Sequence, residues 1–204
     1  MKLYFAPRTR AVRPRWLLEE LGVPYELVRL ELTRQENNTP EYLAVHPLGE
    51  VPALVDGELT LLESLSICLY LADRFPEKQL APPMGSAERG SYYKWMVFAE
   101  VSLDPVVLAF YWHAQQPEEK KASAQAKEEL ARQGTRLKAV LDLIDRGLGG
   151  SEFLVGGAFT AADVVMASIL HLANTLKLLD GHPRLVEYVK RHSQRPAVRR
   201  AVSG

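Results

Sequence analysis

The sequence has little of what disulfide-bonded, metal-binding and nucleic-acid-binding proteins depend on. One cysteine, Cys68, stands among 204 residues, so an internal disulfide and a cysteine-based metal site are excluded. Lys and Arg together number 25, as do Asp and Glu, and this balance gives no general attraction to nucleic acid or an anionic membrane. His171, His182 and His192 are scattered along the chain without the spacing of metal ligands. We therefore expect no metal, nucleic acid or membrane as a partner.

Long apolar runs are also missing. No uninterrupted run approaches the roughly 18 residues that a membrane-spanning helix needs. What the sequence has instead is 47% hydrophobic and 25% charged residues, the ordinary balance of a globular protein. A chain of this length can form one core or two smaller ones. A cytoplasmic location is the simplest expectation.

The two halves of the chain differ in pattern. Residues 1–75 alternate short apolar runs with helical periodicity, whereas residues 86–204 show helical periodicity only. Between them, residues 76–85 (PEKQLAPPMG) are rich in proline and polar side chains, which is typical of a linker. We therefore predict an α/β domain followed by an all-α domain.

In the first half, the order of strands and helices predicts a mixed sheet covered by helices. The predicted strands are residues 3–6, 25–30, 53–55 and 59–62, and the predicted helices are residues 13–21, 40–45 and 64–75. The last two strands form a hairpin around Asp56 and Gly57, because this dipeptide is favoured in two-residue turns.

In the second half, the pattern predicts long helices over residues 86–115 and 118–148, with shorter helices towards the end of the chain. The stretch FTAADVVMASIL contains a helix-start signal. Thr160 can cap the free amides and Asp163, three residues later, can reach back to the backbone of the cap residue.

Three stretches, HPLGEVPAL, GELTLLESLSICLYLADRF and FTAADVVMASIL, follow one another in an order and at a spacing that resemble the cytosolic glutathione transferases. The resemblance covers nearly the whole chain. It implies a thioredoxin-like N-terminal domain with a mixed four-stranded sheet and a C-terminal all-helical bundle. It also implies reduced glutathione as co-substrate, a small hydrophobic electrophile as second substrate, and a homodimer.

The resemblance implies that Val51 and Pro52 bind the cysteinyl part of glutathione. In the family, the peptide bond before this proline is cis, which turns the N–H and C=O groups of Val51 towards an extended peptide ligand. Taken alone, Pro52 also fits the start of an edge strand.

Glu63 and Ser64 open the third predicted helix. The free N–H groups and the dipole at a helix N-terminus favour an anion. The resemblance implies that Ser64 binds the γ-glutamyl carboxylate of glutathione and that Glu63 binds its ammonium group. Serine is also a favoured N-cap residue, and the two roles are compatible.

The glycyl carboxylate of glutathione has no evident cationic partner. Many family members have Lys, Arg, Gln or His at one of two positions that contact it. One position aligns with Glu50, which would repel a carboxylate. The other lies within residues 35–38, which contain neutral amides, and from these we select Asn37. The same stretch also fits a solvated loop.

The turn after the first strand contains neither cysteine nor serine. Glutathione brings its own sulfur, so the protein only has to favour the thiolate over a thiol whose ordinary pKa is about 8.5. By resemblance, Arg10 occupies the position that is Cys or Asn in related bacterial classes. The candidate donors are the Arg10 guanidinium, the backbone amides of Arg10 and Ala11, and the Thr9 hydroxyl. Tyr4 is a further candidate that fits a core strand position better.

The remaining arginines and aromatic residues have structural interpretations. Arg8 and Arg15 are expected to be surface charges or ion pairs with a partner subunit. In the family, the helix that faces the sheet lines the electrophile pocket, which makes Tyr111 and Trp112 candidates for that pocket. Cys68 lies among apolar residues of a predicted helix and is expected to be buried.

The resemblance therefore implies a glutathione transferase that stabilises the thiolate of glutathione for attack on small hydrophobic electrophiles. Peroxide or disulfide reduction by the same thiolate is compatible with these residues. The alternative is a non-enzymatic binding or interaction protein of the same fold, favoured by Glu50 and by the missing thiol donor.

Overall fold

The computed structural model describes residues 1–203, which form two compact units. The first unit contains Met1–Ala81 together with the segment from Gln194 onward, and the second unit is Pro82–Ser193. The elements, in chain order, are β1 (Lys2–Phe5), α1 (Val12–Leu21), β2 (Glu26–Arg29), α2 (Pro40–Leu43), β3 (Ala53–Asp56), β4 (Leu59–Leu62), α3 (Ser64–Arg74), α4 (Ala87–Phe98), α5 (Asp104–Ala114), α6 (Glu118–Lys121), α7 (Ala124–Leu148), α8 (Ala161–Thr175), α9 (Pro183–Ser193) and α10 (Pro196–Val202).

The sheet of the first unit is mixed, as predicted. Its strand order is β2-β1-β3-β4, with β1 parallel to β2 and the other two pairs antiparallel. Ala53 pairs with Tyr4 of β1 on one side and with Leu62 of β4 on the other. Because the strands alternate in direction there, the end of β1, the start of β3 and the end of β4 lie at the same end of the sheet.

The core of the first unit is formed where α1 and α3 pack together and cover the sheet. Leu17 and Leu18 of α1, Ile67 and Leu71 of α3 and Leu54 of β3 are almost fully buried. The predicted burial of Cys68 is confirmed, since the residue has no exposed surface.

The C-terminal segment packs on α1, whereas the sequence pattern assigned residues 86–204 to one helical domain. Arg195 forms a two-point ion pair with Glu20, with N–O distances of 2.6 and 2.8 Å. Arg200 contacts Glu19, and the Arg15 guanidinium donates to the Ser203 carbonyl oxygen at 2.7 Å. These contacts join residues more than a hundred positions apart, so local periodicity carries no signal of them.

The second unit is helical throughout its described elements. The predicted helix over residues 86–115 is continuous, although Ala99–Leu103 in its middle forms a π-helical segment between α4 and α5. The predicted helix over residues 118–148 is broken, because Ser123 caps a new helix and accepts a hydrogen bond from the Ala126 amide at 3.2 Å.

One helical stretch of the second unit, Ala87–Ala114, is long and apolar enough by composition to cross a membrane. The core helices of soluble proteins often have the same property. Several of its large side chains, including Tyr92, Trp95 and Met96, are buried inside the unit.

The predicted capping box at the start of α8 is confirmed. The Asp163 carboxylate accepts the Thr160 backbone N–H at 2.9 Å, and the Thr160 hydroxyl accepts the Ala162 amide at 3.3 Å. The carboxylate also accepts the Leu154 amide at 3.0 Å and the Tyr188 hydroxyl at 2.8 Å. Burial raises the pKa of the Asp163 carboxyl, and these hydrogen bonds partly offset the increase. One side chain thus joins the preceding loop, α8 and α9.

We expect Asp163→Ala to destabilise the protein by about 3 kcal/mol or more, because four buried donors, two of them on Thr160, would lose their acceptor. Urea unfolding measures the change. Asp180→Ala is the matched control, since Asp180 is an exposed residue of the same unit and should alter stability by no more than about 0.5 kcal/mol. Equal effects of the two variants would contradict this role.

Candidate functional site

Three loops of the first unit meet at one end of the sheet. The pairing of Ala53 with both Tyr4 and Leu62 brings together the turn after β1, the Val51–Pro52 segment before β3 and the start of α3 after β4. Most of the predicted site residues lie in these loops, so the structure gathers them from separate parts of the chain.

The turn after β1 has a fixed internal hydrogen-bond pattern. The Thr9 hydroxyl donates to the Ala6 carbonyl oxygen at 2.7 Å, and its oxygen accepts the Ala11 amide at 3.2 Å. A hydroxyl has one hydrogen, and an amide has one as well. Thr9 and the Ala11 amide are therefore both engaged within the turn, which weighs against them as donors to an external sulfur.

The arginines near this turn divide into exposed and buried pairs. Arg8 and Arg10 are exposed, and Arg8 has a positive φ of 60°. Arg13 and Arg15 are buried, with 4% and 7% of their surface exposed. The expectation that Arg15 is a surface charge is therefore wrong: its guanidinium lies over the Phe5 ring at 4.6 Å and is held by the C-terminal segment.

The segment before β3 begins with a turn at Gly49. The peptide bond between Val51 and Pro52 is cis, and Pro52 is buried whereas Val51 is partly exposed. The side-chain amide of Asn37 donates to the Gly49 carbonyl oxygen at 2.7 Å. One N–H of the Asn37 amide therefore holds the backbone just before Val51.

Glu50 follows this turn and is exposed, but its backbone is anchored. The Tyr42 hydroxyl donates to the Glu50 carbonyl oxygen, and the Tyr42 ring lies 5.2 Å from the ring of Tyr4. Burial, and then the proximity of Tyr4, raise the pKa of Tyr42. Tyr4 is thus part of an aromatic pair that supports the loop, in agreement with its interpretation as a strand residue.

The start of α3 presents free backbone amides. Glu63 occupies the N-cap position with a positive φ of 66° and makes no side-chain hydrogen bond to the helix. Ser64, the first helical residue, is 3% exposed. Its hydroxyl oxygen accepts a hydrogen bond from the Arg13 guanidinium at 3.3 Å. A helix N-terminus, a buried hydroxyl and a buried cation therefore meet at one point, which favours a carboxylate ligand.

Arg13 and Tyr42 are the site residues that the sequence reasoning missed. A signal for Arg13 existed, because Arg13, Leu17 and Leu21 recur at a spacing of four residues, and that spacing places them on one face of α1. Leucine at two of the three positions indicates that this face is buried. No comparable pattern marks Tyr42.

The predicted electrophile residues lie on α5 in the second unit. Tyr111 is partly buried, Trp112 is 60% exposed, and their ring centroids are 5.0 Å apart. Although consecutive residues of a helix point in different directions, these two rings contact each other edge to face. Among residues 1–203, no cluster of three or more His, Cys, Asp or Glu is arranged to hold a metal ion.

The fold and the site define a two-domain protein with a thioredoxin-like sheet domain and a helical domain. The N-terminal domain model of glutathione S-transferases matches residues 1–73, and the C-terminal domain model matches residues 127–191. Glutathione S-transferase GstA of Escherichia coli O157:H7 is 30% identical, and the alignment covers 100% of this chain and 98% of the relative. A zeta-class glutathione S-transferase of Euphorbia esula is also 30% identical, over 99% of this chain and 89% of the relative.

Solved structures agree with this assignment. A sphingomonad glutathione S-transferase complexed with glutathione has a TM-score of 0.82 at 30% identity, covering 99% of this chain and 97% of its own. A family member from Pseudomonas fluorescens with two glutathione molecules bound has a TM-score of 0.87 at 28% identity, covering 98% and 91%. The chain belongs to the glutathione S-transferase family, and the predicted fold is confirmed.

Gly49 gives a direct test of the loop before β3. Its φ is 61°, and an added Cβ would lie 2.8 Å from the Asn37 carbonyl oxygen. Gly57 is a matched control, because its φ is also 61° but an added Cβ would meet nothing within 4 Å. We expect Gly57→Ala to cost about 1 kcal/mol from backbone strain and Gly49→Ala about 1–3 kcal/mol more, from the clash. Urea unfolding measures both, and equal losses would show that the loop is not packed as described.

Proposed function

We propose that the protein is a glutathione transferase that binds reduced glutathione at the three-loop end of the sheet and activates its thiol. The observation that carries the proposal is the convergence of the turn after β1, the Val51 backbone and the Arg13–Ser64 pair at one end of the sheet. A peptide thiol with a carboxylate at its γ-glutamyl end matches this arrangement. The family membership and the glutathione bound to related structures support it.

In this proposal glutathione is oriented by its γ-glutamyl end. Ser64 and the first amides of α3 bind the γ-glutamyl carboxylate, and Glu63 binds the ammonium group. The backbone of Val51 pairs with the cysteinyl residue, as an added strand pairs with a sheet edge. Asn37 supports this segment through Gly49, and the glycyl carboxylate has no partner assigned in the first unit.

The sulfur then lies beside the turn after β1. Because the hydrogens of the Thr9 hydroxyl and the Ala11 amide are engaged within the turn, the exposed Arg10 is our choice for stabilising the thiolate. A guanidinium stays charged and donates from several directions. Lowering the thiol pKa by about 2 units would make the thiolate dominant at neutral pH.

The second substrate is proposed to be a small hydrophobic electrophile, for which Tyr111 and Trp112 of the second unit offer an aromatic surface. Attack by the thiolate forms the new carbon–sulfur bond and expels the leaving group, or adds to an activated double bond. The same thiolate would also reduce peroxides or disulfides. No residue of the protein has to act as a nucleophile.

We further propose a cytoplasmic homodimer. Tyr93, Val97 and Val101 are 40%, 51% and 64% exposed and recur every four residues, which places an apolar stripe near one face of the α4 stretch. Leu48, in the first unit, is 76% exposed. Apolar groups of this size on a surface favour burial against a second copy of the chain.

The engagement of Thr9 within the turn also favours a second candidate, a glutathione-binding protein without turnover. The two candidates differ in one measurement. A panel of electrophiles that includes an activated aromatic halide would show glutathione-dependent turnover for the enzyme. Retention on immobilised glutathione without any turnover would support the binding protein.

For the enzyme, we expect Arg10→Ala to raise the apparent pKa of the activity by about 1 unit, towards the value of the free thiol, and to lower turnover at neutral pH about 10-fold. The pH profile of the conjugation rate at saturating glutathione measures this. Arg8→Ala is the matched control, since Arg8 is exposed in the same turn and should leave the profile unchanged. An unaltered profile for Arg10→Ala would dismiss Arg10 as the stabilising group.

A further inference from the structure

Arg13 is a buried cation directly behind the start of α3. It is the second residue of α1, lies on the same face as Leu17 and Leu21, and is only 4% exposed. Its guanidinium donates to the Ser64 hydroxyl oxygen at 3.3 Å, and Ser64 is itself 3% exposed. Arg13 is therefore not a solvated surface charge.

The direction of this hydrogen bond is fixed by chemistry. A guanidinium has donors and no acceptor, so the Ser64 oxygen must be the acceptor. The hydroxyl hydrogen of Ser64 is then left to donate to another group. The contact thus holds Ser64 as a donor, with its oxygen already committed to Arg13.

The positive charge of Arg13 adds to the field of the helix N-terminus. A guanidinium carries a delocalised positive charge. In a buried setting, a charge polarises a neighbouring hydroxyl more strongly than it does in water. A hydroxyl that accepts from a cation is a better donor to an anion, because hydrogen bonds in a chain strengthen one another.

We infer that Arg13 is a positioning residue that holds the Ser64 hydroxyl as the donor to the γ-glutamyl α-carboxylate, and so sets how strongly the site prefers ligands with that group. The inference rests on the proposed function and deepens it. A thiol without this α-carboxylate lacks the group to which Ser64 would donate.

The test compares three ligands by calorimetry. Glutathione has both the γ-glutamyl α-carboxylate and the glycine residue. γ-Glutamylcysteine keeps the α-carboxylate but lacks the glycine, and 4-aminobutyryl-cysteinyl-glycine keeps the glycine but lacks the α-carboxylate. For the wild-type protein we expect the last ligand to bind at least about 10-fold more weakly than glutathione. For Arg13→Met we expect glutathione and γ-glutamylcysteine to bind about 10-fold more weakly than to wild type, whereas the carboxylate-free ligand changes less than about 2-fold.

Two further variants separate positioning from stability. Arg15→Met removes the other buried arginine of α1, which contacts Ser203 and Phe5 rather than Ser64, and it should keep the full preference for the carboxylate. Arg13→Lys keeps the positive charge but not the planar guanidinium with its several donors. It should recover part of the preference for the α-carboxylate that Arg13→Met loses. The Lys variant also provides the measurement if Arg13→Met does not fold.

The possible outcomes are distinct. Equal weakening of all three ligands by Arg13→Met would overturn the inference and leave a purely structural role for Arg13. Undiminished discrimination in Arg13→Met or Arg13→Lys would also overturn it, while the proposed function stands as long as wild type binds glutathione. Failure of wild type to bind glutathione would overturn both. A selective loss for the two γ-glutamyl carboxylate ligands would support the inference.

Discussion

Ala53 pairs with Tyr4 on one side and Leu62 on the other, and this double register positions the candidate site. The three strands meet such that one loop after β1, one loop before β3 and the first turn of α3 lie at a common end. A slip of one residue would turn every side chain of β3 to the opposite face. Because Leu54 on this strand is fully buried, such a slip would remove it from its place in the core, so the packing of Leu54 helps to fix the register.

The site that results has charge and backbone groups but no conventional thiol donor. The Thr9 hydroxyl donates its hydrogen to the Ala6 carbonyl oxygen within the turn after β1. The positively charged side chains near this turn are arginines. Glutathione carries the nucleophile, so an environment that stabilises negative charge is sufficient for catalysis. In the proposed function, Arg10 stabilises the thiolate, and Arg13 holds Ser64 for the γ-glutamyl carboxylate.

Local sequence signals predicted the elements well where the responsible contacts are local. The Asp56-Gly57 turn, the start of α3 at Ser64 and the box of Thr160 and Asp163 all depend on residues within a few positions of one another. The bounds of the four strands agree with the pattern to within one residue at each end.

Features that depend on distant contacts were not predictable in the same way. The burial of Arg15 depends on Ser203, 188 positions away, and the packing of the C-terminal segment depends on ion pairs of Arg195 and Arg200 with α1. Asn37 was selected as a ligand contact from its amide alone, and its hydrogen bond to the Gly49 carbonyl oxygen, twelve positions away, left no local signal in the sequence. The family resemblance supplied the candidate glutathione site, but it did not indicate which arginines of α1 are buried.

The most direct test of the account is a structure of the protein with reduced glutathione bound. The account predicts that the γ-glutamyl carboxylate contacts Ser64 at the start of α3, that the cysteinyl backbone lies along Val51, and that the sulfur lies beside residues 9–11. Glutathione bound with its glycyl end at Ser64, or with its sulfur away from that turn, would contradict the account.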